Sequence, residues 1–326
     1  MLENPFLDWI RSHTPAHPQV PLNVGDDMAA VVVGGRWAGA RGWAAKSGLS
    51  GLSPQSLVLL KIDQALDQVH FDLREHSATQ AGRKAVNRCL SDCAAMACLP
   101  AAVMISVALP REASEAFAQE LFLACQSAAA AFDCPLVGGD TAIWDQRLVI
   151  TVAAMGRSDH LPLTRSGAKA GDTLFVSGRL GGSILGRHLS FTPRIRLAEK
   201  LARTAKVHAM MDLSDGLAQD LPRLCTASGV GAIVYPHLLP IHEDAQTLAG
   251  RDQIPAGLHA LADGEDYELL FAIDPNDVPT IIPISEQGGV PLTAIGTITG
   301  EKVLVLETES GVKMPWPKAG WEHGGE

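Results

Sequence analysis

Short apolar runs of strand length alternate with longer segments of helical period in the first half of this 326-residue chain and again in the second. That alternation restricts the fold to α/β layering, because each sheet must bury an apolar face against helices. Strands are expected at 28–33, 57–62, 103–109 and 148–155, with helices over 83–99 and 112–132. The second half continues with strands at 173–177, 269–273, 292–298 and 303–306, and helices near 184–189, 194–203 and 217–228. The irregular segment 156–172 is the linker candidate and divides the chain into 1–160 and 161–326, each long enough for its own core. No sustained heptad or solenoid-period repeat competes with this reading.

Charge and composition narrow the function classes. A hydrophobic content of 47% with 19% charged residues belongs to a globular chain. The net charge is −10, and no dense Lys/Arg stripe is present, so nucleic acid is not an expected partner. No run approaches the ~20 apolar residues needed to span a bilayer, so no membrane partner is expected. The opening Met1-Leu2-Glu3-Asn4-Pro5 lacks the basic and apolar regions of a secretory signal, which makes the cytoplasm the expected compartment. Cys89 and Cys93 share a helical face without a nearby histidine. With the other four cysteines they read as small buried thiols, not a zinc set.

Aspartates recur at the ends of apolar elements. Asp26 and Asp27 precede the run 28–33, and Asp63 ends the run 57–62. Asp92 interrupts Cys89-Leu90-Ser91 and Cys93-Ala94, while Asp140 sits in Gly138-Gly139-Asp140-Thr141, read as a tight turn. Asp212 and Asp215 flank a strand-to-helix turn. Each has an ordinary reading: Gly25-Asp26-Asp27 as a solvated turn, Asp92 as a cap, and Ser214 or Asp215 as the N-cap of the helix at 217. His70, beside the acidic Asp72, reads first as a structural histidine. The chain has no G-x-x-x-x-G-K-[ST] loop, no G-x-G-x-x-G after a strand and no Gly-x-Ser-x-Gly elbow. Together the aspartates can surround magnesium ions on a triphosphate, neutralising the transferring phosphoryl group without a lysine cradle.

The chain resembles the thiamine-monophosphate kinases of the aminoimidazole ribonucleotide synthetase-like superfamily. The motifs that carry the resemblance include Gly25-Asp26-Asp27-Met28-Ala29-Ala30-Val31, Val69-His70-Phe71, Leu90-Ser91-Asp92 and Gly138-Gly139-Asp140-Thr141. They continue with Arg165-Ser166-Gly167, Asp212-Leu213-Ser214-Asp215-Gly216-Leu217 and Gly264-Glu265-Asp266-Tyr267-Glu268-Leu269, spanning roughly 5–323.

The resemblance implies a two-domain mixed α/β fold whose N-terminal sheets pair in a homodimer. Residues 1–160 would form the ATP/Mg2+-binding and dimerisation domain, and 161–326 would complete the nucleotide and substrate site. It implies transfer of the γ-phosphoryl of ATP to thiamine monophosphate, giving thiamine diphosphate. The implied metal set is Asp26, Asp27, Asp63, Asp92, Asp140, Asp212 and Asp215, with Asp212 and Asp215 catalytic. ATP would meet Asp26, Asp92, Gly139, Asp140, Ser214 and Asp215. The substrate would meet His70, Asp266 and Trp321, although Trp321 equally suits anchoring of the tail.

The chain departs from the family at Ile62 and Ala142, where hydroxyl residues are common, at Cys89 in place of asparagine, and at Asp263 in place of glycine. These departures keep two alternatives open: another enzyme of the superfamily, or a non-catalytic paralogue that binds nucleotide or thiamine phosphate.

Overall fold

The computed structural model describes residues 3–17, 19–23, 25–33, 53 and 56–320. The connection 34–53 and the Trp321 contact fall largely or wholly outside them.

A helix, α1 (Glu3–His13), leads into a five-stranded sheet built from β1 (Ala29–Val32), β2 (Leu57–Leu66), β3 (Leu99–Pro110), β4 (Leu136–Trp144) and β5 (Val149–Arg157). Its strand order is β1-β2-β5-β3-β4. Every pairing is antiparallel except β3 with β4, and those two are joined by the crossover helix α3 (Glu115–Ala130). Helix α2 (Ala78–Ala95) covers the inner face of the sheet.

A seven-stranded sheet follows, made of β6 (Thr173–Ser177), β7 (Val207–Asp212), β8 (Gly231–Val234), β9 (Leu269–Ile273), β10 (Leu292–Thr299), β11 (Leu304–Glu307) and β12 (Lys313–Pro315). Its order is β12-β11-β8-β10-β6-β9-β7. The helices α4 (Arg187–Ser190), α5 (Ile195–Thr204), α6 (Leu217–Ser228), α7 (Glu243–Asp252), α8 (Ala256–Ala262) and α9 (Val278–Gly288) accompany it. Strand β9 is apolar and buried at every position, as a strand covered on both faces must be.

Helix α2 joins the two halves. One buried cluster runs from Met28 and Leu59 through Val86 and Leu90 of α2 and its C-cap Met96 to Phe175, Phe271 and Ile284. A second cluster, with Leu217, Leu221, Leu224 and Leu261, lies on the other face of the larger sheet.

Three local differences from the sequence reading bear on the site. Helix α2 starts at Ala78 because Ser77 and Gln80 form a reciprocal capping box. Strand β2 runs on to Leu66, so Asp63 lies inside it and not at its end. Residues 138–141 belong to β4 and not to a tight turn. Strand β4 approaches β3 so closely there that a Cβ on Gly139 would stand 1.8 Å from the Ile105 carbonyl oxygen.

Candidate active site

Side-chain alternation along β2 directs Lys61 and Asp63 inward and leaves Ile62 on the outer face, 66% exposed. The inward pair opens onto a cleft of about 520 Å³ lined by both halves of the chain. Helix α2 contributes Arg88 and Asp92, the end of β7 contributes Asp212, and the turn after it contributes Ser214 and Asp215. His70, Arg165, Arg223, Asp263 and Glu265 complete much of the wall.

At its base Asp27, Asp92 and Asp212 converge. All three are buried, and one oxygen from each lies within 4.8 Å of the others. Asp27 accepts from Arg165 Nε at 3.2 Å through Oδ1, while its buried Oδ2 has no hydrogen-bond partner. Asp92 Oδ1 accepts from Lys61 Nζ at 2.7 Å, and Asp212 Oδ2 accepts from the Ser91 hydroxyl at 2.5 Å. An unpartnered buried carboxylate oxygen among like charges is costly. Three hard oxygen donors so arranged fit a divalent cation such as Mg2+.

The electrostatics reflect that crowding. Burial pushes the Asp212 carboxyl up to about 6, with the Asp27 charge adding to it and the Ser91 hydrogen bond opposing. Burial, then Asp27, likewise lifts Asp26 to about 6. Asp92 is raised by burial against the pull of Lys61.

Both Asp26 and Asp212 therefore hold protons in the native state at pH values where the unfolded chain, with carboxyls near 3.8, has released them. Native protein binds more protons across that window, so stability falls as pH rises through it. Metal-free protein is expected to lose up to about 2–3 kcal/mol for each of the two carboxyls between pH 4 and pH 7, and Mg2+ is expected to reverse the loss. Thermal melts in chelator check this, and a melting temperature that climbs steadily through the window contradicts it.

The remaining sequence candidates divide. Asp26 is half-buried and accepts from the Arg165 backbone N–H at 3.3 Å. Asp63 stands 3.4 Å from Lys61 Nζ, and Asp215 pairs with Arg223. Neither Ser214 nor Asp215 caps α6: its N-cap is Gly216, without a side-chain cap, and Asp220 in the first turn accepts from the Ser214 and Asp215 backbone N–H groups through Oδ2 at 3.0 Å. His70 lines the cleft and accepts from the Leu66 N–H through Nδ1 at 3.0 Å.

Asp266 turns away from the cleft wall. It accepts from Gly181 N at 2.9 Å and from Arg187 at 3.1 Å, holding the glycine turn, while its neighbour Glu265 faces the cleft. Glu265 and Tyr267 both adopt left-handed backbone, φ +64° and +51°, a strained pair that sets this alternation.

Gly139 and Asp140 are also elsewhere. Strand β4 lies three places from β2 in the sheet, about 14 Å at ordinary strand spacing. Asp140 pairs in register with the outward-facing Ser106, so its side chain lies on the outer face, opposite Asp63. Within one chain Asp140 does not join the acidic cluster.

Sequence reading passed over Lys61, Lys84, Arg88, Glu265 and Asp220. Lys61 breaks an apolar strand run, and Lys84 and Arg88 interrupt an Ala-rich helix. A charge at an inward position of an otherwise apolar element was the available signal.

Comparison with known proteins agrees with this architecture. Residues 25–158 match the AIR synthase related protein, N-terminal domain, and residues 163–309 match the AIR synthase related protein, C-terminal domain. The thiamine-monophosphate kinase of Rhodopirellula baltica is 38% identical over 299 residues, covering 92% of this chain and 90% of that one. That of Bacillus subtilis is 29% identical over 346 residues, covering 97% and 98%.

Among solved structures, one described as AaThiL complexed with AMPPCP and TMP superposes with a TM-score of 0.78 at 25% identity, covering 99% of this chain and 97% of that one. The thiamine-monophosphate kinase of Stenotrophomonas maltophilia superposes with a TM-score of 0.70 at 30% identity, covering 94% and 97%.

Proposed function

The chain belongs to the thiamine-monophosphate kinase family of AIR synthase related proteins, and on that basis we propose that it transfers the γ-phosphoryl of ATP to thiamine monophosphate, giving thiamine diphosphate. The observation that carries this reading is the convergence of Asp27, Asp92 and Asp212 at the base of a cleft lined by both halves of the chain. A structural relative described with AMPPCP and TMP supports the choice of ligands.

The chemistry asks little of a proton acceptor. A phosphate monoester has its second pKa near ~6, so at neutral pH the acceptor oxygen is already mostly deprotonated. Positioning and charge neutralisation then dominate. Asp27, Asp92 and Asp212 would hold Mg2+, which supplies positive charge to the polyphosphate when bound. Arg165 orients Asp27 and Lys61 orients Asp92, while Asp63, Asp215 and Ser214 present further oxygens to the same cleft. Residues 1–160 would provide most of the ATP and metal contacts, and 161–326 would close the site from the other side.

The homodimer belongs to this proposal. Leu60, Ile62, Met104 and Met155 expose 40–66% of their surface on the outer face of the first sheet, an apolar area suited to a second copy. Any metal role for Asp140, on that same face, depends on the pairing. Met104→Asp is expected to weaken the dimer about tenfold or more, read by analytical ultracentrifugation. A wild-type chain that sediments as a monomer refutes the pairing.

We place the protein in the cytoplasm, where six unpaired buried cysteines are chemically at home. Among the described residues no helix is long and apolar enough to cross a membrane.

The direct test is ATP consumption by the purified chain with thiamine monophosphate, with and without Mg2+. Metal-dependent formation of thiamine diphosphate is expected. Silence combined with tight binding of thiamine monophosphate would instead identify a binding paralogue.

A further inference from the structure

We infer that the Lys61 ammonium is a built-in cation, standing between Asp63 and Asp92 where two facing carboxylates would otherwise recruit a divalent ion of their own. The geometry is specific. Lys61 Nζ donates to Asp92 Oδ1 at 2.7 Å and stands 3.4 Å from Asp63 Oδ1, so one side chain serves acids from two elements, β2 and α2. Strand alternation sets this arrangement, since Lys61 and Asp63 are two residues apart and share the inward face. Lys61 and Asp92 both line the cleft, with side-chain exposures of 23% and 8%.

Charge matching makes the substitution workable. A lysine ammonium carries three donors and a single positive charge. Two of its N–H groups suit Asp92 and Asp63, and the third remains for an oxygen entering the cleft. Unlike a metal ion, this cation does not dissociate when free Mg2+ is scarce. It also holds its oxygens 2.7–3.4 Å away, farther than the ~2.0–2.1 Å of a magnesium bond. Asp27, Asp92 and Asp212 are then left as the donor set for an exchangeable ion, and Asp27 Oδ2 is buried without a hydrogen-bond partner.

The inference deepens the proposed phosphoryl-transfer reading and rests on it for its consequence in turnover, but the metal count can be read without turnover. Mn2+ serves as the probe, with free ion counted by electron paramagnetic resonance during titration of the full chain without nucleotide. Wild type and Lys61→Arg are expected to bind the same number of Mn2+ ions. Lys61→Ser removes the ammonium from between the Asp63 and Asp92 carboxylates, leaving Arg88 as the neighbouring positive charge, and is expected to gain one equivalent per chain. Lys61→Gln keeps a polar chain one atom shorter without the charge, serves if the serine variant does not fold, and is expected to bind Mn2+ about tenfold more tightly.

Folded uncharged variants with the wild-type Mn2+ count and affinity would overturn the inference. So would loss of Mn2+ binding, which would make Lys61 a positioning residue for the metal site. A gained equivalent in the variant, with a wild-type chain that never phosphorylates thiamine monophosphate, would instead defeat the kinase reading and leave the built-in cation standing.

Discussion

Asp212→Asn is expected to lower kcat by about a thousandfold, the scale set by removing one group from a preorganised charge-stabilising site. Asp212 ends β7 inside the acidic trio, and its carboxylate is one of three that could hold a divalent cation. Asparagine keeps the shape and can still accept the Ser91 hydroxyl, so the fold has no reason to fail. It also removes a negative charge from beside Asp27. The metal-free variant should therefore melt at or above the wild-type temperature near pH 7, where the native Asp212 carboxyl, at about 6, is mostly ionised. Loss of turnover with retained or increased stability separates a ligand from a scaffold residue. Near-wild-type turnover under limiting Mg2+ would remove Asp212 from the mechanism.

Lys84→Met should cost about 3–5 kcal/mol of folding stability, because it breaks a buried ion pair from one side only. Lys84 is completely buried in α2, donates to Glu265 Oε2 at 2.8 Å and to the His70 carbonyl, and lies 2.6 Å from His188 Nδ1. Burial opposes ionisation of Glu265, but His188 and Lys84 outweigh it and hold the carboxyl at about 2. Methionine would leave that carboxylate without its lysine, facing only His188 and the Tyr267 hydroxyl at hydrogen-bonding range among the described residues. The contact joins the helix beneath the first sheet to the strained Glu265 turn beside the second, so the loss should appear as earlier chemical denaturation of the whole chain. Adding Glu265→Gln should recover part of it, since the stranded charge is then gone. A single variant that denatures with the wild type would show that the pair contributes little.

Much of the chain was legible before any coordinates. Residues 217–228 form the helix their periodicity indicates, and 173–177 and 269–273 form the expected buried strands. Boundaries failed where local chemistry outweighed period: the Ser77–Gln80 box starts α2 early, and strand pairing turns Gly138–Thr141 into part of an edge strand. Short elements such as β8 and α8 carry too few residues to display a period.

Acid identity and spacing along the chain pointed to Asp27, Asp92 and Asp212, because a carboxylate at an otherwise apolar position needs a reason that can be stated from sequence. Direction and partnership could not be read the same way. Asp266 and Glu265 are adjacent, yet positive backbone angles send one to Arg187 and the other to the cleft. Asp140 and Asp63 both lie on strands, yet β4 presents the first outward and β2 the second inward, so only one reaches the acidic base. Residue type and local period follow from covalent neighbours, and the sequence carries them. Which carboxylates meet, and which meet a lysine first, follows from packing between segments up to 185 residues apart, as in the reach from Asp27 to Asp212. That packing exists only once α2 is seated between the two sheets.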